Sequence, residues 1–270
     1  MTIPAPDNPA ANPSFGAGGA DAASPDGLRI AVIPARYDSQ RFPGKPLALI
    51  GGRPMIEWVW RRACAARRVD RVLVATDDER IADAVRGFGG DAVMTGSEHT
   101  TGTDRIAEAV QGQSAGIVVN VQGDEPLIPS AIIDELVKAL EEGGAPISTA
   151  AVPFDNADAI QNPNNVKVVC RQDGTALYFS RSPIPYCRDA GSAVKPLHHW
   201  GLYAYRRAAL EAFVSWNPSP LECCEKLEQL RALENGLPIR VVVARHAAPD
   251  VNVPEDVGIV EAILRRQGEL

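Results

Sequence analysis

Short apolar strands alternating with amphipathic helices across brief connections predict a doubly wound α/β fold with a mostly parallel, Rossmann-like sheet. Two further observations sharpen that expectation. Three of the strands run straight into polar loops, the usual arrangement where a ligand sits beyond the carboxyl ends of parallel strands. The second half of the chain then changes pattern, with a hairpin signal and proline-punctuated loops, which predicts an antiparallel accessory region on the same sheet.

The first strand is residues 30–33 (IAVI), closed by Pro34, which cannot donate to a ladder. The loop that follows carries Arg36, Arg41 and Lys45, with Ser39 and Gly44 between them. Three cations on a glycine-containing loop suit a polyphosphate. A turn at Gly51-Gly52-Arg53-Pro54 leads to a helix over 55–66. The second strand, 71–75 (RVLVA), ends at Thr76-Asp77-Asp78-Glu79, which reads as a capping box with Thr76 as N-cap for a helix to residue 88. A short strand at 91–94 and a helix over 103–110 follow, then an apolar strand at 117–121 (IVVNV).

That strand empties into Gln122-Gly123-Asp124-Glu125-Pro126. Gly123 removes a side chain beside Asp124, and a carboxylate facing a cationic loop suits a hard divalent ion bridging to phosphate. The same residues would equally cap the turn before Pro126. A helix over 129–142 and a strand at 147–152 complete the first half. Strands at 166–170 and 176–179 flank the Asp173-Gly174 turn, and residues 183–196 are loop. A strand at 201–205 leads into a helix over 207–214. Ser219, Pro220 and Glu222 mark the start of one helix running to Glu234. A strand at 239–244 and a helix from Pro254 close the chain.

Composition narrows the function. With 270 residues, 45% hydrophobic and 23% charged, the chain has room for a sizeable core. A net charge of −7 argues against general nucleic-acid affinity, so an anion site has to be a local cluster of cations. The five cysteines (Cys64, Cys170, Cys187, Cys223, Cys224) form no C-x-x-C pair, which points to a reducing cytoplasm, with Cys223 and Cys224 as packing residues. No apolar run reaches the length of a membrane span. Residues 1–28 are expected to be a disordered tail, being rich in Ala, Pro, Gly and Asn, and residues 29–270 a single domain. No G-x-G-x-x-G follows the first strand and no G-x-x-x-x-G-K-[ST] occurs, which disfavours a dinucleotide-dependent oxidoreductase and a P-loop NTPase. There is no G-x-S-x-G, and His99, His198, His199 and His246 lack metal-ligand spacing; His198-His199 fit ordinary packing at a strand start.

Six segments together resemble the 3-deoxy-manno-octulosonate cytidylyltransferase (CMP-Kdo synthetase) family of sugar nucleotidyltransferases. They are IPARYDSQRFPGKPL (33–47), TGTDRIAE (101–108), VNVQGDEPLIP (119–129), NNVKVV (164–169), ALYFSRSPIP (176–185) and SPLECCEKLEQLRAL (219–233). The first alone also fits cytidylyltransferases for sialic acids. The resemblance implies transfer of CMP from CTP to 3-deoxy-D-manno-octulosonate (Kdo) with Mg²⁺, by in-line attack of the anomeric hydroxyl on the α-phosphorus. It implies Arg36, Arg41 and Lys45 on the triphosphate, Thr103 and Arg105 at the cytosine, and Gln122 near the ribose or base. Asp124 matches the principal metal ligand. Arg181, His199, Tyr203, Glu228 and Gln229 match positions lining the acidic-sugar pocket, with Arg181 as partner for the sugar carboxylate. It also implies a cytoplasmic homodimer, with its contact about 165–205, supplying lipopolysaccharide synthesis. Amino-Kdo and sialic acids are the alternative sugars.

One segment departs from the family pattern. Where a G-V-D-T-P-E-D-like motif carries a second metal-binding Asp, this chain has Asn252 and Val253 before Pro254. Asn252 brings no negative charge, which implies a weaker second metal site. Val253 brings no capping oxygen, a loss of about 1 kcal/mol. Asp250, two residues earlier, would share a strand face with Asn252. A working enzyme is the reading favoured over a paralogue with a changed sugar or one losing activity.

Overall fold

Strand β1 (Leu28–Ala35) lies within a nine-stranded sheet, with a strand paired on either side. In the computed structural model, residues 27–38, 41–154, 156–189 and 194–270 are described; the expected tail falls almost wholly outside them. After β1, a 3-10 turn (Lys45–Leu47) and a two-strand ribbon, β2 (Leu49–Ile50) and β3 (Arg53–Pro54), lead to α1 (Met55–Cys64). Then come β4 (Arg71–Thr76), α2 (Glu79–Gly87), β5 (Asp91–Met94), α3 (Gly102–Ala109), β6 (Ala115–Asn120), α4 (Ser130–Glu142) and β7 (Ile147–Pro153). The second half supplies α5 (Ala157–Gln161), β8 (Lys167–Cys170), β9 (Ala176–Ser180), β10 (Leu197–Arg206) and α6 (Arg207–Ser215). Helices α7 (Pro220–Glu225) and α8 (Gln229–Glu234), strand β11 (Ile239–Val243) and α9 (Asp256–Gln267) end the chain.

Across the sheet the order is β11-β7-β10-β6-β1-β4-β5, with β8 beside β10 and β9 beside β8. Strand β1 pairs in parallel with β4 and with β6. The chain steps outward from β1 through β4 to β5, then returns to the far side of β1 as β6. That reversal creates a topological switch point between β1 and β6, and the loops leaving these two strands flank the crevice. The second half contributes antiparallel strands in two places: β10 runs between β6 and β7, antiparallel to both, and the β8–β9 hairpin forms the expected accessory region against β10. Helices cover both faces. Ala31, Ile33 and Ala35 of β1 pack with residues of α1, α2 and α4, and Ile30 and Val32 pack with residues of α3, α6 and α8. Burial on both faces is why the strand is a continuous apolar run rather than an alternating one.

Three local expectations are corrected. Thr76 remains in β4, and its hydroxyl accepts from the Asp78 amide; the N-cap of α2 is Asp78, which accepts from the Arg80 amide at 2.9 Å. The helix expected from Ser219 to Glu234 is two helices. The Ser219–Glu222 capping box forms, but Lys226 turns into the left-handed region (φ 54) and ends α7. Tertiary hydrogen bonds hold that break: the Glu225 carboxylate accepts from Ser180 and from the Arg181 amide, and the Glu225 carbonyl accepts from the Arg181 guanidinium. Finally, Cys223 and Cys224 are exposed rather than packed. Among the described residues, no helix is long and apolar enough to cross a membrane.

Arg105 is fully buried and pairs with Asp77 at 2.8 Å and with the Thr95 hydroxyl at 2.6 Å. A buried cation deprived of its carboxylate is costly. Asp77→Ala is expected to lower the urea-unfolding free energy by about 3–5 kcal/mol, whereas Asp83→Ala, which breaks an exposed pair with Arg86, should change it by less than about 1 kcal/mol.

Candidate active site

The loop after β1 is shaped by Gly44, whose φ of 71 gives the left-handed turn that starts the 3-10 segment. Its amide donates to the Tyr37 carbonyl at 2.9 Å. The Tyr37 ring lies 3.2 Å from where a Gly44 Cβ would be, and the Arg80 guanidinium stacks on that ring, 3.3 Å from its centroid. This fold of the loop delivers Lys45 inward. Its ammonium donates to Asp124 Oδ2 at 2.8 Å and to the Val251 carbonyl at 2.9 Å.

The loop after β6 meets it. Gly123 is pressed on the end of β1 so closely that a Cβ there would lie 2.8 Å from the Pro34 carbonyl oxygen. The reason for this glycine is therefore backbone packing, not access for a ligand. Asp124 and Val251 join through the Val251 amide and the Asp124 carbonyl at 2.9 Å, bringing the 250–253 segment to the same place. There Asn252 Oδ1 accepts from Arg41 at 3.2 Å, and Asn252 Nδ2 donates to Asp250 at 2.7 Å. Helix α9 starts at Asp256 rather than at Pro254, so residue 253 is not its N-cap; the Asp256 carboxylate instead reaches back to accept from the amides of Asn252 and Val253 and holds the segment ahead of the helix.

Two cavities open along the crevice. One, of about 230 Å³, is lined by Arg36, Asp38, Lys45, Gln122, Gly123 and Asp124, with Pro34, Ala35 and Pro46. The other, of about 280 Å³, is lined by Thr103, Asn120, Gln122, His199, Tyr203, Glu228 and Gln229, among others. Gln122 belongs to both. Its amide nitrogen donates to the Gly201 carbonyl at 3.1 Å and to Asn120 at 3.3 Å, which fixes it at the junction.

A cytidylyltransferase family model matches residues 30–241. A 3-deoxy-manno-octulosonate cytidylyltransferase from Aliivibrio fischeri is 51% identical over 245 residues, covering 87% of this chain and 98% of the relative. The chain belongs to this cytidylyltransferase family. The relative from Myxococcus xanthus is 50% identical, covering 88% of this chain and 97% of its own. Among solved structures, a CMP:2-keto-3-deoxy-manno-octonic acid synthetase complexed with CTP superposes with a TM-score of 0.86 at 41% identity, covering 89% of this chain and 99% of that one. A 4-diphosphocytidyl-2C-methyl-D-erythritol synthase from Anaerococcus prevotii, at 17% identity and a TM-score of 0.59, shares the fold.

Within the family frame, the candidate residues divide. Arg36, Lys45, Thr103, Gln122, Asp124, His199, Tyr203, Glu228 and Gln229 line the two cavities. Arg41 and Asn252 sit beside them, bonded to each other. Two residues are placed differently. Arg105 is buried against Asp77 and Thr95, outside both linings. Arg181 donates to the carbonyls of Pro163, Glu225 and Lys226, also outside the linings, so its guanidinium is already engaged in holding the break between α7 and α8. Asn120, Tyr205 and Leu227, which no sequence motif singled out, also line the second cavity, and the Thr149 hydroxyl bonds His199; their placement depends on how β10 pairs and where α7 ends.

Asp124 tests the fit for a divalent ion. One oxygen holds Lys45; the other accepts no hydrogen bond among the described residues, and the side chain lines the cation-bearing cavity. No group of three or more His, Cys, Asp or Glu is poised for a metal among the described residues. Mg²⁺ commonly uses one or two carboxylates plus substrate phosphates, so the donor set fits. Nearby, burial drives the Glu125 carboxyl up to about 8, against the lowering effect of its hydrogen bond with Trp200.

The second cavity is lined by groups whose neutral forms burial favours. Burial raises Glu228, partly offset by a hydrogen bond with Thr103, raises Tyr203 and Tyr205, and lowers His199 to about 3. The Thr149 hydroxyl donates to the Leu202 carbonyl at 2.7 Å and so accepts from His199 Nε2 at 3.0 Å. That assigns His199 the neutral Nε2–H tautomer, with Nδ1 as an acceptor. An unfolded His takes its proton near pH 6.5 and this one does not, so its stability contribution is complete above pH 6.5 and falls as pH drops toward 3. Nitrogen-15 NMR should show His199 neutral and Nε2-protonated at pH 5.5; titration near 6.5 would contradict the assignment.

Proposed function

We propose that the crevice transfers CMP from CTP to the anomeric hydroxyl of Kdo, giving CMP-Kdo and pyrophosphate for lipopolysaccharide synthesis. The observation that carries this reading is the pair of cavities, one lined by Arg36, Lys45 and Asp124 and one lined by His199, Tyr203, Glu228 and Gln229, meeting at Gln122. A triphosphate fits the first and a polyhydroxylated sugar the second.

Lys45 has three donors and uses two on Asp124 and Val251, leaving one for a phosphate oxygen. Arg36 and Arg41 add charge on the same side. Arg36 donates to the Thr100 carbonyl at 3.1 Å, which ties the triphosphate loop to the segment before Thr103. Thr103 and Gln122 contact the nucleoside in this reading, and Arg105 supports them from the core. His199, Tyr203, Glu228 and Gln229 hold the sugar hydroxyls, and Arg181 holds the segment that carries Glu228. The anomeric oxygen forms a bond to the α-phosphorus as the bond to pyrophosphate breaks; pyrophosphate leaves with the electron pair and the hydroxyl proton is released. Asp124 would hold Mg²⁺, with Asn252 as a weaker second ligand, and the ion would neutralise charge on the phosphates. The remaining catalysis is positioning and fixed charge.

We also place the enzyme in the cytoplasm, where CTP is found and where free thiols persist. Association of two copies through the 165–205 region is supported by the exposed Leu177 and Tyr186 there.

Pyrophosphate release with CTP, Kdo and Mg²⁺ tests this function. Lys45→Ala and Asp124→Asn are each expected to lower kcat/KM by about 10²–10³-fold. Asn252→Asp should lower the Mg²⁺ concentration for half-maximal rate. Release with an amino-Kdo or a sialic acid but none with Kdo would assign a different sugar. CTP-dependent thermal stabilisation without turnover of any of them would leave a binding protein only.

A further inference from the structure

The loop after β6 is fastened to β10 twice. Gln122 donates to the Gly201 carbonyl, as described above. Three residues on, both oxygens of Glu125 accept from the Trp200 indole N–H at 2.9 Å. Glu125 and Trp200 are each more than nine-tenths buried, at 5% and 7% exposure. The two fastenings bracket Asp124 on one strand end and fall on adjacent residues of the other, beside His199.

The place on β10 is not an ordinary one. Trp200 faces Ala150 across the ladder to β7, but the next paired residue is Tyr203, facing Thr149; Gly201 and Leu202 form an irregularity between them. His199 and Tyr203 therefore reach the sugar-side cavity from opposite sides of a local distortion, and the Trp200 side chain anchors its leading edge. A carboxyl and an indole N–H buried together are an expensive way to fill a core, because each group must find a partner. A Leu and a Phe would fill comparable space with no polar atom to satisfy. The polar pair makes sense where a defined geometry matters more than stability.

We infer that Glu125 and Trp200 are a positioning pair that sets the distance and angle between the triphosphate half of the site, through Asp124, and the sugar half, through His199 and the Gly201–Leu202 irregularity. Neither residue lines either cavity, so the pair acts through its neighbours. The inference rests on the proposed CMP transfer, in which two bound substrates have to be aligned for in-line attack. Misalignment of about 1 Å in such a step costs rate while leaving each substrate's own contacts in place.

The test uses three variants of the full chain, with pyrophosphate release and thermal melting measured on each. Trp200→Phe removes the donor and is expected to lower kcat by about 10–100-fold, with KM for CTP within about threefold of wild type. Glu125→Gln keeps an acceptor oxygen and should keep kcat within about threefold of wild type. The double variant Glu125→Leu with Trp200→Phe leaves no unpaired polar group, so its melting temperature should recover toward that of wild type while its kcat stays low. Recovery of kcat together with melting temperature in the double variant would show a purely structural pair and overturn the inference. So would a Trp200→Phe variant with wild-type kcat. Wild-type turnover, measured alongside, reports on the proposed function separately.

Discussion

The contact on which the site depends is between two backbones. Residue 123 passes the end of β1 at a distance that leaves no room for a side chain, with the Pro34 carbonyl 2.8 Å from any Cβ. This brings the β6 loop against the β1 loop at the switch point of the sheet, where the chain reverses direction across β1. Asp124 can then reach Lys45, and Val251 can join both. The insertion of β10 beside β6 brings His199 and Tyr203 to the other end of the same loop. One close approach therefore determines the relation between the cations, Asp124 and the residues of the second cavity.

Electrostatics follow from that packing. The protein carries a net charge of −7, yet the β1 loop concentrates Arg36, Arg41 and Lys45. Within the site these cations already have polar partners: Thr100 for Arg36, Asn252 for Arg41, Asp124 and Val251 for Lys45. Such partners orient the side chains before a substrate arrives, which lessens the reorganisation that binding requires. Deeper in the crevice the trend reverses. His199, Tyr203 and Glu228 are surrounded by protein, and burial favours their neutral forms. Arg36 and Lys45 line one cavity with Asp124, and groups whose neutral forms burial favours line the other.

Much of this was legible in the sequence, for stated reasons. Strands buried on both faces read as continuous apolar runs, so β1, β4 and β6 stood out, and their polar exits located the crevice. The Asp173-Gly174 hairpin and the Ser219 capping box were readable because their chemistry is local. What escaped depends on partners distant in sequence. The break at Lys226 is made by Ser180 and Arg181, some 45 residues away, and Arg181 looked available for a ligand only because those carbonyls were out of view. Arg105 matched a binding motif while its guanidinium turned to Asp77 and Thr95. The Glu125–Trp200 pair, 75 residues apart, appears only once β10 is seen beside β6. Asn252, read as a weakened metal ligand, proved also to be the acceptor for Arg41.

The proposed transfer depends on two half-sites that share Gln122 and are held in one alignment. A crystal structure of the protein with CMP-Kdo bound tests it directly. The sugar is expected among His199, Tyr203, Glu228 and Gln229, the phosphate next to Lys45 and Asp124, and Gln122 between them. A sugar lodged outside that cavity, or a phosphate remote from Lys45, would contradict it.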